Sequence, residues 1–214
     1  MEPAARLETT VNTPPRAITR RPIQLGSYAY EQRRLSLLAG LAQGRAVLDL
    51  GYAAMPNKYF KDVQLVGVDL NQPLEPAPQY SEQIVGNVME LPKLFTGRRF
   101  DTVVAGELIE HLENPYQFLR DVHSIVASGG RVLLSTPNPL GFPVFLFELL
   151  QSRRFYYDRE HTYYYLPRWM VRIAESCGFA VEKLVPVGLY TPLGVIPWTP
   201  TVFSYQVIYV LKKA

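Results

Sequence analysis

The sequence predicts an α/β fold: a mostly parallel sheet of seven strands with helices on both faces. Two observations carry that expectation. Short apolar runs rich in Val and Leu alternate along the chain with segments of helical period. The length of 214 residues, with 48% hydrophobic and 19% charged residues, is that of one globular domain with a sizeable core.

The elements follow in order. Residues 1–24 are rich in Pro, Thr and Arg without apolar period and read as a flexible arm, leaving residues 25–214 as a single domain. Leu35, Leu38 and Leu41 fall at helical spacing between Tyr28 and Leu41, and Gly44 is the stop. Strands are predicted at Arg45–Gly51, Leu65–Asp69, Ile84–Asn87 and Phe100–Gly106. A helix runs from Pro115 to Ala127, with Asn114 as N-cap, Pro115 in the first turn and Gly129-Gly130 as stop. Arg131–Thr136 is the fifth strand. Residues 138–166, full of aromatics and Pro, interrupt the rhythm. A helix over Pro167–Cys177 ends at Gly178, and strands at Phe179–Val187 and Val202–Leu211 complete the sheet.

Charge and cysteine content exclude several classes. The 22 basic and 19 acidic residues give +3, and the pairs Arg20-Arg21, Arg33-Arg34, Arg98-Arg99 and Arg153-Arg154 are scattered, so no nucleic-acid partner is expected. The single Cys177 allows neither an intramolecular disulfide nor a zinc site built on several thiolates, which points to a reducing, cytoplasmic setting. The stretch Leu140–Leu150 is broken by Gly141, Pro143 and Glu148, and falls short of the about 20 residues a membrane span needs. The start carries no apolar signal region.

The functional signal lies at two strand ends. Asp49-x-Gly51 occupies the turn after the first strand, and Asp69 ends the second. In a doubly wound sheet both reach the carboxyl edge, where ligands bind. Gly51 permits a tight turn, and Asp69 can accept both hydroxyls of a ribose. A dinucleotide site needs two further glycines so that bare amides meet the pyrophosphate. Here Tyr52, Ala53, Ala54, Met55 and Pro56 follow, which argues against a nicotinamide oxidoreductase. Asp49 suits the cationic amino group of S-adenosylmethionine instead.

On these residues the sequence resembles the class I S-adenosylmethionine-dependent methyltransferases, in the branch of the ubiquinone-pathway O-methyltransferases and of glycan and small-molecule methyltransferases. The resembling stretches are Val47–Gly51, Val66–Leu70, Gly86–Pro92, Phe100–Val104, Leu108–Pro115, Gly129–Asn138 and, in the tail, His161–Thr162 and Ala174–Phe179, in the family's order. The resemblance implies a Rossmann-like seven-stranded sheet with the last strand antiparallel. It implies that Asp49, Gly51, Tyr52 and Ala53 hold the methionine end of the cofactor. Asp69 would hold the ribose, Leu70 would lie against adenine, and Asn87 and Val88 would meet the adenine edge. Gly106 and Glu107 would pass close to the methionine moiety. Where the family has a second and third glycine, this chain has Ala53 and Met55; if the second glycine supplies left-handed backbone, Ala53 costs roughly 1 kcal/mol or more.

Glu107, Glu110 and His111 follow the fourth strand. If that turn is helical they share one face, either as helix-start charges, as a general base (His111), or as a site for Mg²⁺ or Mn²⁺ resembling the E-x-x-E-H pattern of some relatives. His161, before the penultimate helix, is the second candidate base. The aromatic segment 138–166 stands where the family places its acceptor lid. It suits a phenolic, glycan or lipid-linked acceptor, and Val144–Leu150 suits a peripheral membrane contact. The apolar connection Pro186–Pro200 suits pocket closure or a homodimer contact. The expected function is O-methyl transfer to a small-molecule, glycan or lipid-linked acceptor. The alternative is a non-catalytic partner subunit with a degenerate cofactor loop.

Overall fold

Strands that are apolar at nearly every position need cover on both faces, and the chain provides it. The computed structural model describes residues 25–142, 144–150, 161–191 and 194–213; the arm and the Arg153–Tyr157 part of the lid lie outside those residues. In chain order the elements are α1 (Leu25–Leu41), β1 (Ala46–Leu50), β2 (Gln64–Asp69), β3 (Glu82–Val85), α2 (Leu91–Leu94), β4 (Phe100–Gly106), α3 (Pro115–Ile125) and β5 (Val126–Pro137). They continue with α4 (Val144–Leu149), α5 (Pro167–Ser176), β6 (Phe179–Pro186), β7 (Leu189–Thr191), β8 (Gly194–Ile196) and β9 (Gln206–Lys213). The main sheet has seven strands in the order β3-β2-β1-β4-β5-β9-β6. The first five pair in parallel, and β9 runs antiparallel to both of its neighbours. No helix among the described residues is long and apolar enough to cross a membrane.

Alternation along each strand splits the core in two. Leu48, Val103 and Val132 face Phe118, Leu119 and Val122 of α3 and Met170 and Ala174 of α5. Val47, Val104 and Leu133 face Tyr30 and Leu38 of α1. Helices therefore lie on both faces. The crossovers β1–β2 and β2–β3, however, carry no helix. That stretch of the α1-side layer is built from irregular chain that buries Tyr52, Phe60, Ala77 and Tyr80.

Several boundaries differ from the sequence expectation, and three of them have a local cause. The helix predicted to Ala127 ends at Ile125, and β5 starts at Val126, which pairs with Phe100. A register shift follows before Thr102 pairs with Arg131. Gly129 sits in this irregular stretch at φ +69°, so the glycine pair absorbs a bulge inside the strand and does not stop a helix. The last strand begins at Gln206, not Val202. Residues Thr201–Phe203 form a 3-10 turn instead, held because the Asn138 side-chain amide donates to the carbonyls of Thr201, Val202 and Ser204. The hairpin β7–β8 falls within the connection Pro186–Pro200, whose sequence pattern predicts no strand.

Candidate functional site

The ends of β1, β2 and β4 lie side by side, which brings the predicted residues to one edge. Gly51 stands at φ +74° with its amide donating to the Val68 carbonyl at 2.8 Å, a left-handed turn that suits glycine. Ala53 does not need such a backbone. Among the described residues only Asp62 and Glu107 combine a side chain with positive φ. The cost expected from replacing the second glycine therefore does not arise.

Asp69 organises the loop. Its Oδ2 accepts the Ala53 amide at 3.0 Å and its Oδ1 accepts the Asn71 amide at 2.9 Å. Each oxygen keeps a second lone pair for a ligand. Leu70 is exposed beside it, at 65%. The Asn87 side chain caps the 3-10 turn Val88–Glu90 by accepting the Met89 amide at 2.9 Å. Val88 and Tyr52 turn away from the edge. The Val88 side chain packs in the α3-side core, and the Tyr52 ring packs against Gly67 and Tyr80, so both positions offer a ligand only main chain.

Beneath the turn lies a buried polar centre with an excess of carboxylates. Asp49 is 6% exposed, and its Oδ2 accepts the Tyr80 hydroxyl at 2.6 Å. Burial pushes its carboxyl up to about 6, against the opposing pull of Tyr80 and Arg34. Glu107 is not helical: it stands at φ 52°, and the 3-10 turn that follows is Ile109–His111. Glu107 Oε1 accepts the Ser135 hydroxyl at 3.0 Å and Oε2 accepts the Gln206 amide at 2.6 Å. Burial raises its carboxyl to about 7, with Arg34 opposing. Arg34, from α1, is 6% exposed and paired with Glu31 at 2.5 Å. Its Nη1 lies so close to Gly106 that a Cβ there would come within 2.5 Å of it, which accounts for glycine at that position.

Glu110 is fully buried, and neither of its carboxylate oxygens has a hydrogen-bond partner among the described residues. The nearby Thr136 hydroxyl is outside hydrogen-bond geometry and likewise unpartnered. Burial raises the Glu110 carboxyl well above its ordinary value, and Glu107 adds to the rise. Its backbone carbonyl accepts the amides of Thr162 at 2.8 Å and Tyr163 at 3.2 Å. That docking sets the His161 ring edge-on to His111, with centroids 4.8 Å apart. One ligand atom from each of Glu110, His111 and His161 falls within 4.8 Å of the others. The set that converges thus contains His161 where the sequence pattern suggested Glu107, whose oxygens are taken by Ser135 and Gln206.

The methyltransferase domain family matches residues 24–184. The chain belongs to that family. Within it, the chain is 29% identical over 102 residues to the ubiquinone biosynthesis O-methyltransferase of Aeromonas salmonicida (strain A449), a match covering 46% of this chain and 42% of the relative. The chain thus spans less than half the length of that curated relative. Among solved structures, an S-adenosylmethionine-dependent methyltransferase of Thermotoga maritima superposes with TM-score 0.65 at 16% identity, covering 88% of this chain and 90% of the other. The 1,6-didemethyltoxoflavin-N1-methyltransferase of Burkholderia thailandensis, solved with bound 1,6-didemethyltoxoflavin and S-adenosylhomocysteine, gives 0.61 at 17% identity, covering 88% and 80%. These likenesses establish that the fold is shared.

In this methyltransferase-domain protein, three residues of the edge carry no pattern in the sequence that marks them. Arg34 belongs to one of the scattered basic pairs, Tyr80 to a connection without pattern, and Gln206 to an apolar strand. Only long-range contacts reveal them: no spacing links position 34 to 107, or 80 to 49. The lid divides. Tyr165 is buried and Tyr164 packs on the α1-side core, whereas Phe142, Phe145 and Leu149 are exposed. The turn at 198–203, tied to the start of the lid by Asn138, exposes Trp198 at 92% and Phe203.

Proposed function

We propose that the protein transfers the methyl group of S-adenosylmethionine to an oxygen of a small-molecule acceptor with an apolar portion. The observation that carries this reading is one edge holding both the Asp49–Asp69 pair and, beside it, the group Glu110, His111 and His161. The edge also fits the cofactor's charge. Glu31, Glu107 and Glu110 all act on the guanidinium of Arg34, which also acts on Asp49, so carboxyl groups outnumber cations here, and the cofactor is cationic at sulfonium and ammonium.

In this reading Asp49 holds the ammonium and Asp69 the ribose hydroxyls. Gly51 and the main chain at Tyr52 and Ala53 line the methionine end. Arg34, beside Gly106, meets the carboxylate of the same end. Leu70 and the main chain at Asn87 and Val88 border the adenine. When bound, the cofactor supplies a sulfonium methyl for in-line displacement. The protein contributes acceptor placement first and removal of the acceptor proton second. His111 is the first candidate for that proton and His161 the second.

The same three residues fit a divalent cation. A buried carboxylate without a partner is costly when charged, and a cation between it and two imidazoles would relieve it. Such an ion would supply Lewis-acid polarisation of the acceptor oxygen. The exposed apolar rim of Phe142, Phe145, Leu149 and Trp198 supports an acceptor that is aromatic or lipid-linked over one that is wholly polar.

Calorimetric titration with S-adenosylmethionine and S-adenosylhomocysteine, with and without Mg²⁺ or Mn²⁺, is the test. Micromolar binding, about −8 kcal/mol, supports the reading and justifies a screen of phenolic and prenylated hydroxyl compounds. No heat up to millimolar ligand rejects it in favour of a non-catalytic methyltransferase-like module.

A further inference from the structure

The two helix-free crossovers leave the β1 turn without the usual rigid neighbour, and a specific chain of contacts takes that place. Asn57, 1% exposed, donates from Nδ2 to the Leu35 carbonyl of α1 at 3.0 Å. Its backbone amide donates to the Tyr80 hydroxyl at 2.9 Å. That hydroxyl donates in turn to Asp49 Oδ2 at 2.6 Å. The Tyr80 ring, 5% exposed, lies against Tyr52 with centroids 4.5 Å apart, and Tyr52 fills the space left by Gly67. Tyr80 therefore has its ring fixed by Tyr52 and its hydroxyl fixed from α1 through Asn57. Its orientation toward Asp49 is over-determined.

We propose that Tyr80 is a positioning residue of the cofactor site: its hydroxyl holds the Asp49 carboxylate in place and charged, so that the acceptor capacity left on Asp49 meets the ammonium of the bound cofactor. The inference rests on the reading of Asp49 as the ammonium partner. Its physical basis is the cost of burying a carboxylate. At 6% exposure Asp49 has little water to stabilise its charge, and a short bond from a phenol does so without adding a competing cation. Burial and Asp49 itself drive the Tyr80 hydroxyl far above its usual value, so it remains a donor. Arg34 and Asp69 also act on Asp49, the first supporting its charge and the second opposing it.

The test compares two ligands. S-adenosylhomocysteine carries the amino-acid end; 5′-methylthioadenosine lacks it. Affinities of both are measured by calorimetry for the wild type, Tyr80→Phe, Asp49→Asn and the double variant. Tyr80→Phe keeps the ring on Tyr52. It is expected to weaken S-adenosylhomocysteine by about tenfold, the range of a charge-assisted bond, while 5′-methylthioadenosine changes by less than about twofold. In the Asp49→Asn background the same change should add less than about twofold, because the charge it serves is gone. Equal weakening of both ligands, or of neither, overturns the proposal and leaves Tyr80 a packing residue. If Tyr80→Phe does not fold, Tyr80→Met, which also lacks a donor, is measured against the same two ligands with the same criterion. Failure of the wild type to bind S-adenosylhomocysteine overturns the cofactor reading itself, and this proposal with it.

Discussion

The Glu110 carbonyl accepts the Thr162 amide at 2.8 Å, and this bond seats His161 beside His111. The two histidines lie 50 residues apart in the sequence. They meet because the chain returning from the lid docks on the short 3-10 turn after β4.

Replacement of either histidine tests that meeting. His111→Ala should lower turnover by about 10²-fold or more, the range of a lost general base, and change cofactor affinity by less than about threefold. His161→Ala should follow with a smaller loss if it is the auxiliary group. Steady-state kinetics beside calorimetry separate the two effects. Full activity in both variants would exclude them from proton transfer and metal binding alike.

Divalent cations should stabilise the protein through the same residues. Mn²⁺ at millimolar concentration is expected to raise Tm by about 2 °C or more, as for any ligand that binds only the folded state. Glu110→Gln should abolish that shift without lowering the cation-free Tm, since it removes a buried carboxylate that has no partner. A shift that persists in Glu110→Gln places the ion elsewhere.

Stability should fall as pH rises from about 4 to about 7. Asp49 and Glu107 are raised to about 6 and about 7, and burial with the neighbouring Glu107 raises Glu110 well above its ordinary value. The folded state therefore binds more protons than the unfolded chain in that window, and each proton lost on raising the pH favours unfolding. His123 opposes weakly, because burial and Lys213 lower its value. In the absence of ligands, thermal melts should give a higher Tm at pH 5.5 than at pH 7.5, with the gap reduced in Glu110→Gln. A melt that rises steadily with pH would contradict the assignment of these three buried carboxyls.

Gly67 has no side chain because the Tyr52 ring occupies its place: a Cβ would come within 2.6 Å of Cε1. Gly67→Ala should destabilise by about 1–3 kcal/mol, the usual range for overpacking. Adding Tyr52→Ala should recover part of that loss, giving a coupling energy that a denaturant double-mutant cycle can read. Simple additivity would place the clash elsewhere.

Asp69→Asn should weaken S-adenosylhomocysteine by about tenfold or more, as a charge-assisted pair becomes neutral. The amide oxygen can still take the Ala53 or the Asn71 backbone amide, so the melt should move little. Unchanged affinity would remove Asp69 as the ribose partner.

The sequence by itself determined the sheet, the edge and the family. Strands such as Val47–Leu50 and Val103–Ala105 are apolar at nearly every position, and only a sheet covered on both faces buries that pattern. Strand ends then put Asp49, Gly51 and Asp69 at one edge, because parallel strands share a direction. Tertiary structure decided the rest. Whether Ala53 needed left-handed backbone, whether Glu107 joined a helix, and which carboxylate met two histidines all depended on contacts between distant residues. The Tyr52 ring packs in the core, because Gly67 and Tyr80 leave a ring-sized space there. Arg34 and Tyr80 carried no local signal, since a buried polar residue is marked by the partner that satisfies it, and that partner lies far away in the chain.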